Sequence, residues 1–272
     1  MSKKKTVILT IFCIISMCIA GYSIYRVYSI EGDYMQGRKD YSEISANYLT
    51  VFDSKTNAGS QRTDGDYSPI HVNFKELREK VNPEICAWIW CPGTIIDYPV
   101  VQHSDNEFYL NHGANLSENP SGAIFIDSAN FNDFSDSNTI IHGHHMGDGS
   151  MFASLPKWYS EEYWEEHPVI YLNTAENGNY KIEIFAVMEV PAGSEPYRFE
   201  FESKNSIENW LSWLNDNSVI HPEVDVNPED RFITLSTCAY SFENARTVVV
   251  GRSILIDNLV ENNLKLSKNP FD

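Results

Sequence analysis

Short apolar segments separated by turn residues dominate the chain from Ile85 onward. They are rich in β-branched and aromatic residues, which favour strands, and the "ENGN" at Glu176 to Asn179 is a typical hairpin turn. Eight or so closely spaced strands with short helical interruptions predict a mostly β fold, either a closed barrel or a sandwich. The segments are "ICAWIWC", "GTIIDYPVVQ", "GAIFID", "NTIIHG", "VIYLNT", "YKIEIFAVMEV", "RFITLST" and "RTVVVGRSILI".

Three other stretches predict helices. "NFKELREKV" is a short helix with Asn73 as its N-cap, and "SMFASLPKWYSEEYWEEHP" reads as two short helices. In "SIENWLSWLNDN", the side chains of Ile207, Trp210, Leu211 and Leu214 form one apolar helical face.

An uncharged apolar run, Thr6 to Tyr25, follows three lysines at the N-terminus. About 20 apolar residues are needed to cross a bilayer as a helix, and the run has that length. Because lysines favour the cytoplasmic side of a span, we expect the chain after Arg26 to lie outside the cell. A cleaved signal peptide is the competing interpretation, although the run is long for the apolar region of one.

These features divide the chain into four parts. They are a cytoplasmic tail at residues 1–5, a membrane anchor at 6–28, an extracellular helical and linker segment at 29–70, and a globular domain at 71–272. Within the third part, residues 53–70 are rich in Ser, Gly, Asp and Thr and predict a loop. The 272 residues, 42% of them hydrophobic, are enough for one sizeable domain with appendages.

The net charge and the placement of the cysteines indicate which partners and which chemistry to expect. The net charge of −18 repels nucleic acid, so we expect no nucleic-acid partner. Of the five cysteines, Cys13 and Cys18 lie in the apolar run. Cys86 and Cys91, five residues apart in an extended segment, point to opposite faces and lie too far apart to form a disulfide. Cys238 is left without an obvious partner, and an unpaired thiol on an exported protein suggests a function.

Cys238 ends one predicted strand, and Arg246 opens the next. If "AYSFEN" and its neighbours form the connecting loop, the two residues lie side by side at one end of the β structure. An arginine in that position can stabilise a thiolate or donate to an acyl oxyanion. The alternative is a buried structural cysteine beside a surface arginine.

The second group of interest is the histidine-rich segment "TIIHGHHMGDGSMF". A cysteine nucleophile needs an acid/base partner, usually histidine, that is close in space although distant in sequence. His144 lies 94 residues before Cys238, so only the fold could bring them together. A zinc site is a second interpretation, since His142 and His144 point the same way in a strand with Asp148 nearby, but neither a second suitable cysteine nor an HExxH pattern supports it. Solvent-exposed loop histidines are a third.

Together, these motifs resemble the class B sortases. The resemblance rests on "TLSTC" followed eight residues later by Arg246, on "HGHHMGDGSMF", and on "GTIIDYPVVQHSDNEFYLNH". It extends from Val72 to Ile256 and includes the N-terminal anchor. It implies an eight-stranded β-barrel with N-terminal helices, and a helix between the strands "FAVMEV" and "RFITLST" that "SIENWLSWL" fits.

The resemblance also implies roles for individual residues. Cys238 matches the nucleophile, His144 the catalytic histidine and Arg246 the essential arginine, whereas His145 matches a second histidine that is not catalytic. The residues assigned to the substrate groove are Asn111, His142, Ser236 and Thr237. His142 departs from the pattern, because that position is often aromatic in the family.

The activity implied is that of a cysteine transpeptidase on the outer face of a Gram-positive-type cell membrane. Such an enzyme cleaves an N-P-x-T-type sorting signal after Thr, forms a thioacyl intermediate, and joins the surface protein to a peptidoglycan amine, with no metal or organic cofactor. Two alternatives remain open from the residues alone. One is a membrane-anchored cysteine hydrolase that does not transfer the acyl group, and the other is an inactive anchored binding module.

Overall fold

The computed structural model describes residues 3–52 and 67–258. Its first element, α1, is a single unbroken helix from Lys3 to Tyr48. One helix in the described ranges, from Thr10 to Tyr48, is long and apolar enough to cross a membrane, and its most apolar window is not buried at all. Most of the predicted linker, residues 53–66, lies outside the described residues.

In the described residues, eleven strands and three further helices follow α1. The helices are α2 (Phe74–Lys80), α3 (Glu161–Glu166) and α4 (Lys204–Asn217). The strands are β1 (Leu49–Val51), β2 (Tyr67–Ser68), β3 (Ile70–Val72), β4 (Ile85–Trp90), β5 (Asp97–Val101), β6 (Ile124–Ile126), β7 (Asn138–His142), β8 (Val169–Thr174), β9 (Asn179–Pro191), β10 (Arg231–Cys238) and β11 (Ala245–Asn258).

Strands β4 to β11 form a closed eight-stranded barrel. Their order is β10-β7-β6-β5-β4-β8-β9-β11, and the sheet closes because β11 also pairs with β10. The β5–β6 and β7–β10 pairs are parallel, and the other barrel pairs are antiparallel. The predicted strands are confirmed, and the choice between barrel and sandwich is settled by this closure.

Alternation along the strands separates two apolar clusters. Ile233 and Leu235 of β10 belong to the large cluster that fills the barrel, together with Trp88. Phe232, on the other face of β10, packs under Trp210 of α4 in a smaller cluster outside the barrel. Each face of a strand therefore has its own packing partner, as the period of two requires.

The predicted helices are confirmed. Asn73 caps α2 by accepting a hydrogen bond from the Glu76 amide at 3.3 Å, and Ser203 and Ser206 form a reciprocal capping box at the start of α4. The segment before β8 forms a 3-10 turn, Leu155–Tyr159, and then α3. On α4, the predicted face turns inward: Trp210, Leu211 and Leu214 are buried, and Ile207 packs against them.

The C-terminal end of α1 is part of the barrel's main core. Tyr41 and Ile44 are 6% and 7% exposed and belong to the same cluster as the barrel interior. The sequence analysis predicted a helical and linker segment at residues 29–70, separate from a globular domain that begins at residue 71. The core instead includes side chains from the last turns of α1.

Candidate active site

The β10–β11 hairpin sets Cys238 beside Arg246. Cys238 is the last residue of β10, and its Cα is the direct antiparallel partner of the Arg246 Cα. The loop between the strands turns at Asn244, whose φ is 59°, and closes with a hydrogen bond of 2.9 Å from the Ala239 amide to the Ala245 carbonyl. The predicted placement of this cysteine and arginine side by side is confirmed.

The parallel pairing of β7 with β10 brings the histidine segment to the same edge of the barrel. Parallel strands end at the same edge, and His142 at the end of β7 is in register with Ser236 near the end of β10. The chain stays close beyond the strand, because the Gly143 amide donates to the Ser236 carbonyl at 3.0 Å. His145 Nδ1–H then donates to the Cys238 carbonyl at 3.0 Å.

Gly143 is the first residue after β7, and the space around its Cα is too small for a side chain. A Cβ there would lie 2.5 Å from Ile124 Cδ1 and 2.6 Å from Phe152 Cδ2. The next residue, His144, donates a hydrogen bond from Nε2 to the Leu110 carbonyl at 2.8 Å. A carbonyl can only accept, so the proton in this arrangement is on Nε2. Nδ1 has no hydrogen-bond partner in the described part of the chain and is left to exchange a proton.

A cavity of about 520 Å³ lies at this edge of the barrel and is lined by Cys238, His144 and Arg246. His145 does not line it. Arg246 is partly buried and donates from Nη1 to the Ala245 carbonyl at 2.9 Å. Arg252, in contrast, lies further along β11 in an ion pair with Asp230 at 3.4 Å.

Three of the four predicted groove residues also line the cavity: His142, Ser236 and Thr237. The Ser236 hydroxyl is 2.6 Å from the hydroxyl of Tyr197, another lining residue. Thr237 lies on the face of β10 opposite to Cys238, and its hydroxyl is buried with no partner in the described residues. Asn111 does not line the cavity; it is an exposed residue that follows the 3-10 turn Phe108–Leu110.

His142 forms a pair with Asp127, which the sequence analysis did not identify. His142 Nε2 and Asp127 Oδ2 are 2.9 Å apart, and the Asn106 amide donates to the same oxygen at 3.0 Å. Burial raises the pKa of Asp127, but the hydrogen bonds from His142, the Ala129 amide and Asn106 outweigh it and hold the pKa at about 2. The pair thus adds a firmly ionised carboxylate to one wall of the cavity.

The three histidines of the segment do not converge on a common point. His142 contacts Asp127, His144 contacts the Leu110 carbonyl, and His145 contacts the Cys238 carbonyl. Within residues 3–52 and 67–258, no group of three or more His, Cys, Asp or Glu side chains has the arrangement to hold a metal ion. The arrangement is suited instead to nucleophilic chemistry, with a thiol, an imidazole and a guanidinium around one cavity.

Comparison with known proteins identifies the family. Residues 89–254 match the sortase domain. The chain belongs to the sortase family. Sortase B of Listeria monocytogenes is 39% identical over 198 residues, which cover 70% of this chain and 79% of that protein. The similarity to sortase B proteins shows class B, whose members are cysteine transpeptidases that anchor surface proteins to the cell wall.

Two solved structures extend the comparison to the fold. A Staphylococcus aureus sortase B–substrate complex has a TM-score of 0.70 and 28% identity, covering 83% of this chain and 99% of that one. A sortase B complexed with triglycine has a TM-score of 0.64 and 33% identity, covering 68% of this chain and 86% of that one. The resemblance to class B sortases is therefore confirmed for both sequence and fold.

Several residues that line the cavity of this sortase carried no sequence signal that we used. Asp127 ends the strand segment "GAIFID", so a search for polar residues at strand ends could have found it. Asn106 and Leu110 lie inside the "HSDNEFYLNH" stretch. Tyr197 has no such signal. It follows β9 by a short connection and contacts Ser236 only because the chain folds back over the outside of the barrel.

Proposed function

We propose that Cys238 is the nucleophile, His144 the acid/base and Arg246 the oxyanion or peptide ligand of this class B sortase. The observation that carries the proposal is the register of β10 against β11 and β7, with all three side chains lining one cavity.

The reaction proceeds in two acyl transfers. In the first, the Cys238 thiol gives its proton to His144 Nδ1, and the thiolate attacks the Thr carbonyl of an N-P-x-T-type sorting signal. A C–S bond forms, and the peptide C–N bond breaks as His144 passes the proton to the leaving amine. A peptidoglycan amine then attacks the thioacyl carbon, gives its proton to His144, and expels the Cys238 thiolate. Arg246 donates to the developing oxyanion in both steps, where a paired donor has its largest effect.

Two similar structures support the substrate classes. One is a sortase B with bound substrate, and the other is a sortase B complexed with triglycine, a tripeptide with a primary amine. The cavity of about 520 Å³ has the volume of a site for a short peptide segment. Surface proteins with a C-terminal sorting signal and a cell-wall amine are therefore the proposed partners, without a cofactor.

Mass spectrometry of the full chain in detergent micelles tests the chemistry. Incubation with a small library of sorting-type peptides should give a thioacyl adduct on Cys238, and addition of a primary amine should convert the adduct to amide product. Cys238→Ala is the matched control and should form no adduct. Acid product that stays unchanged by amine would identify a hydrolase, and absence of any adduct would favour the inactive binding module.

We also propose that α1 anchors the enzyme once in the cell membrane, with residues 1–5 in the cytoplasm and the barrel outside. The exposed apolar side chains of α1 and the lysines before them support this orientation. Protease added to intact, wall-stripped cells should degrade the barrel. Complete protection, or release of a shortened soluble form, would refute the orientation or the anchor.

A further inference from the structure

The C-terminal end of α1, which is its outer end in the proposed orientation, contacts the segments that surround His144. α1 approaches the barrel closely at Gly37, where a Cβ would lie 2.9 Å from Asn119 Nδ2 and 3.1 Å from Ser121 Oγ. The next turn of the helix contributes Arg38 and Tyr41, and both reach the loops beside the cavity. A helix that also forms the candidate membrane span thus contacts the catalytic edge of the domain.

The first contact passes through Gly122. The buried Tyr41 hydroxyl donates to the Gly122 carbonyl at 2.6 Å and accepts from the Ala114 amide at 3.2 Å. Burial raises the pKa of Tyr41, so the hydroxyl remains a neutral donor. Gly122 has a φ of 59°, and the position of a Cβ on it is 3.0 Å from His144 Cδ2. The backbone that Tyr41 holds is therefore the wall against which the His144 ring lies.

The second contact is an ion pair at the tip of the loop that follows His144. The Arg38 guanidinium binds the Asp148 carboxylate, whose side chain is only 12% exposed. Asp148 also accepts from the Ser150 amide at 3.0 Å and the Ser150 hydroxyl at 2.6 Å. Arg38 thus fixes a loop that already has its own internal hydrogen bonds.

The third contact reaches the far end of the same loop. The Tyr41 ring packs edge-on against Tyr98 at 5.3 Å, and the Tyr98 hydroxyl accepts from the Met151 amide at 3.0 Å. The following amide, that of Phe152, donates back to the His144 carbonyl at 2.9 Å. The loop from His144 to Met151 is therefore held at its start, tip and end by groups that depend on two residues of α1.

We propose that the outer end of α1 is a brace that positions His144, with Arg38 and Tyr41 as positioning residues. The proposal rests on the proposed catalytic role of His144. Arg38 lies ten residues beyond the predicted end of the span at Tyr28, about 15 Å along an unbroken helix. The anchor and the active-site loop are consequently connected by one rigid element, and full turnover requires α1 to be docked.

The test uses the full chain in detergent micelles and the variants Tyr41→Phe and Arg38→Met. Each should lower kcat for peptide transfer about tenfold, a factor that corresponds to about 1.4 kcal/mol in the activation free energy. KM should stay within about twofold, and the pH profile of kcat/KM should shift, because the proton-transfer geometry changes while the peptide groove does not. Arg38→Lys, which retains the charge, should recover most of the turnover.

Lys39→Met is the matched control. Lys39 is the neighbouring cation on α1, 66% exposed, and pairs with Glu43 of the same helix at 3.7 Å. Its loss should change neither kcat nor the pH profile. All rates are measured well below the melting temperature of the least stable variant, so that unfolding does not contribute.

A second measurement does not depend on activity. In ¹³C-histidine-labelled protein, the ring resonance of His144, assigned with His144→Ala, should shift or broaden in Tyr41→Phe and Arg38→Met but not in Lys39→Met. Unchanged kcat and an unchanged resonance would refute the brace, as would a lower melting temperature with normal kcat. If the wild-type chain transfers no peptide, the proposed function fails, and the resonance still decides whether α1 positions His144.

Discussion

Asp127 provides a quantitative test of the electrostatics of the cavity wall. Burial alone would raise its pKa, but hydrogen bonds from His142, the Ala129 amide and Asn106 stabilise the carboxylate more, so the pKa falls from the ordinary 3.8 to about 2. Each pKa unit corresponds to about 1.4 kcal/mol. The ionised carboxylate therefore contributes about 2 kcal/mol to the free energy of unfolding, and Asp127→Asn should remove that amount at pH 7.

The pH dependence distinguishes charge from packing. A carboxyl with a depressed folded pKa contributes stability above its unfolded value of 3.8, and the contribution disappears as pH falls from 3.8 toward 2. The free-energy difference between wild type and Asp127→Asn should therefore be full at pH 7 and shrink steeply below pH 4. Urea unfolding followed by tryptophan fluorescence measures it, since all six tryptophans lie beyond α1 and report on the barrel.

Asp216→Asn is the control, because Asp216 is an exposed carboxylate on α4. Its removal should change the free energy of unfolding by less than about 0.5 kcal/mol at either pH. A loss in Asp127→Asn that is equally large at pH 7 and pH 2.5 would show that side-chain packing, and not ionisation, stabilises this wall. No loss at pH 7 would contradict the hydrogen-bond argument itself.

Three further predictions concern the catalytic edge. Arg246→Ala and Arg246→Lys should each lower the transfer rate about 100-fold or more, since lysine loses the paired donors, while Arg252→Ala should lower it only slightly. Near-normal turnover of Arg246→Lys would show that the arginine acts only through its charge. His144→Ala should abolish transfer in a folded domain and His145→Ala should retain measurable activity, so total loss in both folded variants would undermine the assignment. Gly143→Ala should lower the free energy of unfolding by about 1–3 kcal/mol in urea titration, because its Cβ overlaps Ile124 and Phe152, and wild-type stability would contradict that contact.

Local sequence signals were sufficient for most of the fold. The eight strands were predictable because alternation and β-branched runs act over a few residues, and the Cys238–Arg246 pair because one hairpin contains both. The β7–β10 pairing was not readable from periodicity, and the family resemblance implied a barrel without naming this pair of strands. Asn111 shows the limit of that resemblance, since it does not line the cavity with the other predicted groove residues.

The contacts that sequence reasoning did not find are long-range ones. Tyr41 and Arg38 lie in a stretch of scattered aromatics and charges with no strong apolar stripe, so nothing local indicated that it packs on the barrel. Asp127 and Tyr197 reach the cavity from two different parts of the chain. Their roles depend on which loops meet at one edge, and that information is carried by strand order and not by residue spacing.

The β7–β10 seam has a consequence for the order of events during folding. Hairpins such as β8–β9 and β10–β11 join neighbouring segments, whereas His142 and Ser236, which pair across the seam, are 94 residues apart. Contacts between distant segments carry a larger loop-closure entropy and form late. A newly made chain can thus set Cys238 beside Arg246 early and bring His144 to them only when the barrel closes. If Cys238 and His144 have the proposed roles, the thiol gains its proton-transfer partner only when β7 pairs with β10, and an incompletely folded chain has the thiol and the arginine in place but cannot turn over.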